Sequence, residues 1–89
     1  VPGLPPSPAA VTYLLALRRL GAATSPVSTG RLAAELNVRP PSAVAALQRL
    51  GRDRLVRVSP RQGSMLTPAG AELARSLYRR HALAEVLLY

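Results

Sequence analysis

The chain has 89 residues, and its 12 basic residues, all arginine, outnumber Glu35, Asp53, Glu72 and Glu85 for a formal net charge of +8. A chain of this length forms one small domain with a thin core, and without Cys, Phe or Trp that core is left to Leu, Val and Ala. The composition excludes a disulfide framework and thiolate ligation within these residues, and no apolar run is long enough to span a bilayer. The excess of arginine attracts a polyanion, nucleic acid first among them, and the plain alternative is a solvated basic surface.

Residues 1–6 read as an extended arm, because Pro2, Pro5 and Pro6 lack the donors that a helix or sheet needs. The opening "VPGLPPSP" also lacks the basic region and apolar core of a signal peptide. Ser7 as N-cap with Pro8 behind it opens a first helix. Val11, Leu14, Leu15, Leu17 and Leu20 recur along it with helical spacing, and Gly21 ends the run. After the loop "AATSPV", Ser28 caps a short second helix whose Leu32, Ala33 and Leu36 form one apolar stripe, and Asn37 stops it. Pro41 suits the first turn of a third helix, in which Val44, Leu47 and Leu50 repeat before Gly51 and are expected to face inward.

The stretch "LVRVSPRQGSMLT" reads as a hairpin: Leu55, Val56 and Val58 are β-prone, "SPRQG" supplies turn residues and "SMLT" returns. Thr67 followed by Pro68 repeats the cap-plus-proline start and opens a last helix through Leu73, Ala74, Leu77, Val86 and Leu87. No Gly, Asn or Pro closes it, so the helix is expected to continue past Tyr89.

Helix, helix, tight turn, helix, hairpin, helix is the order of a winged helix-turn-helix, mainly α with a small β-hairpin. The expected division is an arm over 1–6, a winged helix-turn-helix DNA-binding domain over 7–67, and a long linking helix over 68–89 that leads to a dimerisation domain outside the chain. In this order the third helix enters the major groove. Its expected outward face carries Ser42, Ala45, Arg49 and Arg52. The two arginines pair with phosphates or reach a guanine edge, and Ser42 near the helix start donates to a phosphate or base. Arg39 before the helix and Arg61 at the hairpin tip are placed for phosphates on either side. Ala45 offers only contact with a thymine methyl, so discrimination leans on Arg49, Ser42 and DNA shape.

The segments "RLAAELNVRPPSAVAALQRLGRDRLV", "MLTPAGAELA" and "RRHALAEVLL" resemble the diphtheria-toxin-repressor and manganese-transport-regulator family of bacterial metal-dependent repressors, from about Tyr13 to the end. The helix-turn-helix part is generic to winged-helix regulators, and "LTPAG" is also similar to multiple-antibiotic-resistance-type regulators. Arg80 and His81 followed by Leu83, Glu85 and Leu87 form the more specific motif. The resemblance implies that His81 and Glu85 are metal ligands for Mn(II) or Fe(II), in a site whose other ligands lie outside the chain. Residues i and i+4 on a helix share one ion, and imidazole plus carboxylate suits these metals; without the resemblance the pair reads as a surface contact. The family also places ligands near the start of its first helix, where this chain has Thr12, a weak ligand, and Leu15, none.

The function implied is a cytoplasmic repressor of metal-uptake genes that binds a palindromic operator as a homodimer. A metal-independent winged-helix regulator, controlled by a small molecule or by none, is the alternative that the missing ligand at Thr12 keeps open, and a winged-helix protein-docking module is the one that Ala45 favours. Catalysis has no constellation: no Ser or Cys shares the helical face of His81 and Glu85, and no glycine-rich phosphate loop occurs.

Overall fold

The computed structural model describes the backbone from residue 7 to residue 88 and the side chains from residue 7 to residue 80. The arm expected over residues 1–6 lies outside the described residues. Four helices and one hairpin follow in the order α1 (Pro8–Arg19), α2 (Thr29–Leu36), α3 (Pro40–Arg52), β1 (Val56–Ser59), β2 (Gly63–Leu66) and α4 (Pro68–Leu88). This is the winged helix-turn-helix order.

Most helix boundaries are set by the residues that the sequence marks. The Ser7 hydroxyl accepts from the Ala10 N–H and the Ser28 hydroxyl from the Arg31 N–H, satisfying donors that a helix start leaves free. Gly21 at φ 85° and Asn37 at φ 54° take the left-handed conformation just past α1 and α2. The chain then turns back on the helix: the Ala22 N–H donates to the Leu17 carbonyl and the Val38 N–H to the Ala33 carbonyl.

α3 differs from expectation on its inner face. It runs through Gly51 to Arg52, and Arg54 at φ 61° makes the closing turn, with the Leu55 N–H donating to the Leu50 carbonyl. Its buried residues are Ala43, Leu47 and Leu50, whereas Val44 is 42 % exposed. The reason is rotation. Two successive steps of three residues drift around a helix of 3.6 residues per turn, while spacings of four and three hold one stripe. An arginine in the left-handed region is strained by about 1–2 kcal/mol, part of which glycine gives back through the unfolded chain. Arg54→Gly is therefore expected to raise stability by about 0.5–1 kcal/mol, read as a thermal midpoint a few degrees higher. An unchanged midpoint would show that the arginine side chain compensates.

The hairpin pairs Val56 with Leu66 through to Ser59 with Gly63, antiparallel. Within the loop that precedes α2, Val27 joins it as an isolated bridge, exchanging both backbone hydrogen bonds with Ser64, so β2 lies between β1 and Val27. Gly63 is required there: its φ is 107°, and a Cβ would lie 2.6 Å from the Val27 carbonyl carbon. The Ser64 side chain is fully buried, and its Oγ finds no hydrogen-bond partner among the described residues. A hydroxyl desolvated without a partner costs about 1–3 kcal/mol. Ser64→Ala should leave the denaturation midpoint unchanged or raise it, and a clear loss in chemical denaturation would mean that the hydroxyl has a partner in solution.

One core joins these elements: Tyr13, Leu14 and Leu17 from α1, Leu32 from α2, Ala43, Leu47 and Leu50 from α3, Val56 and Leu66 from the hairpin, and Ala74 from α4. Each buried leucine contributes about 1.5–3 kcal/mol by leaving water. α4 is fixed at its base by Thr67, whose N–H donates to the Leu55 carbonyl at 3.1 Å and whose hydroxyl donates to the Arg54 carbonyl at 2.7 Å. The same oxygen accepts from the Gly70 N–H at 3.0 Å as helix cap. Farther along, the Arg18 guanidinium of α1 stacks 4.3 Å from the centre of the Tyr78 ring.

Candidate nucleic-acid interface

The short buried stripe of α3 leaves the rest of its circumference to solvent. Pro41, Ser42, Val44, Ala45, Gln48, Arg49 and Arg52 are all exposed. Ser42, Ala45, Arg49 and Arg52 recur at spacings of three, four and three, so they lie along one line on that open side. Arg39 is the exposed residue just before the helix and makes no side-chain cap. Pro40 and Pro41 occupy the first turn, where missing N–H groups are no loss.

Arg61 lies, exposed, in the turn between β1 and β2. Arg57 on β1 is also exposed, opposite Met65. The hairpin packs beside the C-terminal half of α3, and Gln48, Gly51, Arg52, Val56 and Val58 line a shallow, open concavity between them. Reasoning from the sequence missed Val44 and Gln48 as exposed residues of this helix. An inward stripe of Ala43, Leu47 and Leu50 would have put both outside.

The arginines of this surface make no ion pair among the described residues. Among the described residues, the ion pairs are Arg19 with Glu35 at 3.5 Å and Arg75 with Glu72, neither on α3 or the hairpin. Asp53, which caps the C-terminal end of α3, takes part in neither. Exposed guanidinium groups in a row suit phosphate oxygens, which they meet with paired donors. The apolar Val44 and Ala45 beside them suit contact with a base methyl.

The helix that carries His81 and Glu85 is α4, but their side chains lie outside the described residues. On α1, the exposed Thr12 donates its hydroxyl to the Pro8 carbonyl at 3.0 Å, and Leu15 is half-buried and apolar. Among the described residues no three His, Cys, Asp or Glu side chains come together as a metal site. Of these two α1 positions, Thr12 thus offers a divalent cation at most a weak hydroxyl ligand and Leu15 offers none.

Comparison with known proteins agrees with the architecture. The model of the iron dependent repressor N-terminal DNA binding domain matches residues 7–64. The diphtheria toxin repressor of Corynebacterium glutamicum is 41 % identical over 58 residues, covering 65 % of this chain and 25 % of that protein. The HTH-type transcriptional regulator MntR of Listeria welshimeri is 30 % identical over 83 residues, covering 93 % of this chain and 58 % of that protein. The manganese regulator SloR superposes with a TM-score of 0.74 at 31 % identity, over 93 % of this chain and 39 % of its own. The chain thus spans between a quarter and three fifths of these relatives. With the winged fold, the exposed arginine line on α3 and a match over most of its length, the chain belongs to the iron-dependent repressor family that includes the diphtheria toxin repressor and MntR.

Proposed function

We propose that the chain is the DNA-binding part of a cytoplasmic transcriptional repressor that reads a palindromic operator as a homodimer, with Mn(II) or Fe(II) as effector in the complete protein. The observation that carries this reading is the line of Ser42, Ala45, Arg49 and Arg52 on the open side of α3, free of the chain's described ion pairs. α3 enters the major groove. Arg49 and Ser42 reach base edges or phosphates, Ala45 touches a thymine methyl, and Arg39, Arg52 and Arg61 hold the backbone on either side. Two such helices in a dimer meet successive grooves about 34–36 Å apart. α4 then links this domain to its dimerising partner. Among the described residues no helix is long and apolar enough to cross a membrane.

The names of the relatives, an iron-dependent repressor domain and a manganese regulator, support a metal effector. In this reading His81 and Glu85 are the ligands that the chain itself supplies, and α1 supplies none. Leu15 favours a second reading, a regulator of the same fold that works without metal.

Fluorescence anisotropy of palindromic and scrambled duplexes, with and without Mn(II) at two salt concentrations, separates these readings. Preference for the palindrome that depends on metal supports the first. Preference that ignores metal supports the second and returns His81 and Glu85 to a surface pair. Weak binding to every duplex would remove the repressor reading in favour of a protein-docking module.

A further inference from the structure

Gly51 lies in the last turn of α3, where the fold gives no reason for a glycine. Its φ is not positive, and an added Cβ would meet only the Val56 carbonyl oxygen, at 4.0 Å, an ordinary contact. Gly63 and Gly70 are instead enforced by backbone crowding, and Gly21 by its φ of 85°. Glycine within a helix is less stable than alanine, so the bare position opposes folding with no return inside the chain.

What surrounds Gly51 is the concavity between α3 and β1. Gln48 and Arg52, four residues apart and both exposed, supply an amide and a guanidinium. Val56 and Val58 share one face of β1, with Arg57 between them on the other. Val58 leaves 46 % of its surface open. Anion donors over an apolar floor, with a bare backbone between them, match the chemistry of a sugar–phosphate segment: anionic oxygens for the donors and a deoxyribose edge for the valine. The helix C-terminus opposes an anion on its axis, so the place for one is this flank, under the charge of Arg52.

We infer that the concavity between α3 and the hairpin seats one phosphodiester of duplex DNA. Arg52 and Gln48 donate to its oxygens, Val58 covers the sugar, and Gly51 is bare so that the backbone approaches. The inference rests on the DNA-binding reading above and adds to it a backbone contact that a methyl group would block.

The test is Gly51→Ala, Arg52→Ala and the double variant, each measured by thermal unfolding and by anisotropy with palindromic and scrambled duplexes at two salt concentrations. Gly51→Ala is expected to raise the thermal midpoint by a few degrees and yet weaken binding about tenfold on both duplexes, the loss of a charge-assisted contact. The salt slope should fall by about one, as for one phosphate released. In the Arg52→Ala background the same methyl should cost less than about twofold more, because coupled residues are not additive. Undiminished binding by Gly51→Ala, a lowered midpoint, or full additivity with Arg52→Ala would each overturn the seat. If the unaltered protein binds no duplex, the DNA-binding reading falls and the seat with it. If it binds and Gly51→Ala binds as well, only the seat falls.

Discussion

Gly70→Ala is expected to unfold the domain or to lower its thermal midpoint by more than about 12 °C. Gly70 is buried in the first turn of α4, where the helix starts directly on the backbone of Leu55. An added Cβ would fall deep inside the Leu55 carbonyl oxygen, 2.8 Å from its carbon and 3.2 Å from its Cα. The obstacle is backbone and cannot rotate aside. Moving it would break the bonds by which Thr67 ties α4 to the carbonyls of Arg54 and Leu55. Overpacking of this kind costs about 3 kcal/mol or more, a large part of the stability of so small a domain. The matched control is Gly30→Ala in α2, whose methyl would meet nothing within 4 Å and should leave the midpoint unchanged or slightly higher. Equal midpoints for the two variants would show that α4 starts elsewhere in solution.

The largest effect on binding is expected from Arg49→Ala combined with Arg52→Ala, which should weaken DNA affinity about a hundredfold while shifting stability by less than about 0.5 kcal/mol. Both side chains are exposed, and neither is in an ion pair within the described residues, so removing them takes nothing from the fold. The single variants should differ in kind. Arg52→Ala acts on the phosphate backbone, weakening all sequences alike and lowering the salt slope by about 0.9 per contact. Arg49→Ala, in line with Ser42 and Ala45, should in addition relax the preference for one base pair. Anisotropy across a set of single-base operator variants makes the distinction. A double variant that binds within twofold of the parent would remove α3 as the DNA-contacting helix.

The exposed face of α3 was legible in the sequence even though its buried face was assigned one residue off. A small domain buries only a narrow stripe of such a helix, here Ala43, Leu47 and Leu50, and the solvent side is a wide arc. An error of one residue at Val44 therefore breaks the inward assignment and leaves Ser42, Ala45, Arg49 and Arg52 outside. Ser7, Ser28, Gly21 and Asn37 were equally readable, because capping is decided within a few residues of chain. The bridge from Val27 to Ser64, the left-handed Arg54 and the crowding at Gly70 depend on segments brought together from elsewhere, and no local pattern announces them. For the same reason no local pattern sets Gly51 apart, and its place beside the concavity between α3 and β1 shows only in the fold.

The two ties of α4 have a mechanical consequence. Thr67 and Gly70 hold its base against the end of α3, and Tyr78, eight residues beyond Gly70, is held under Arg18 of α1. A helix of 21 residues is about 31 Å long, so a tilt of about 5° at the base moves its far end by roughly 3 Å. Arg18 and Tyr78 form a fulcrum part-way along this lever, and their stacking sets the heading of the far end relative to α3. Tyr78 stands ten residues from either end of the helix, so a displacement of one end about this point is matched by an equal and opposite one at the other.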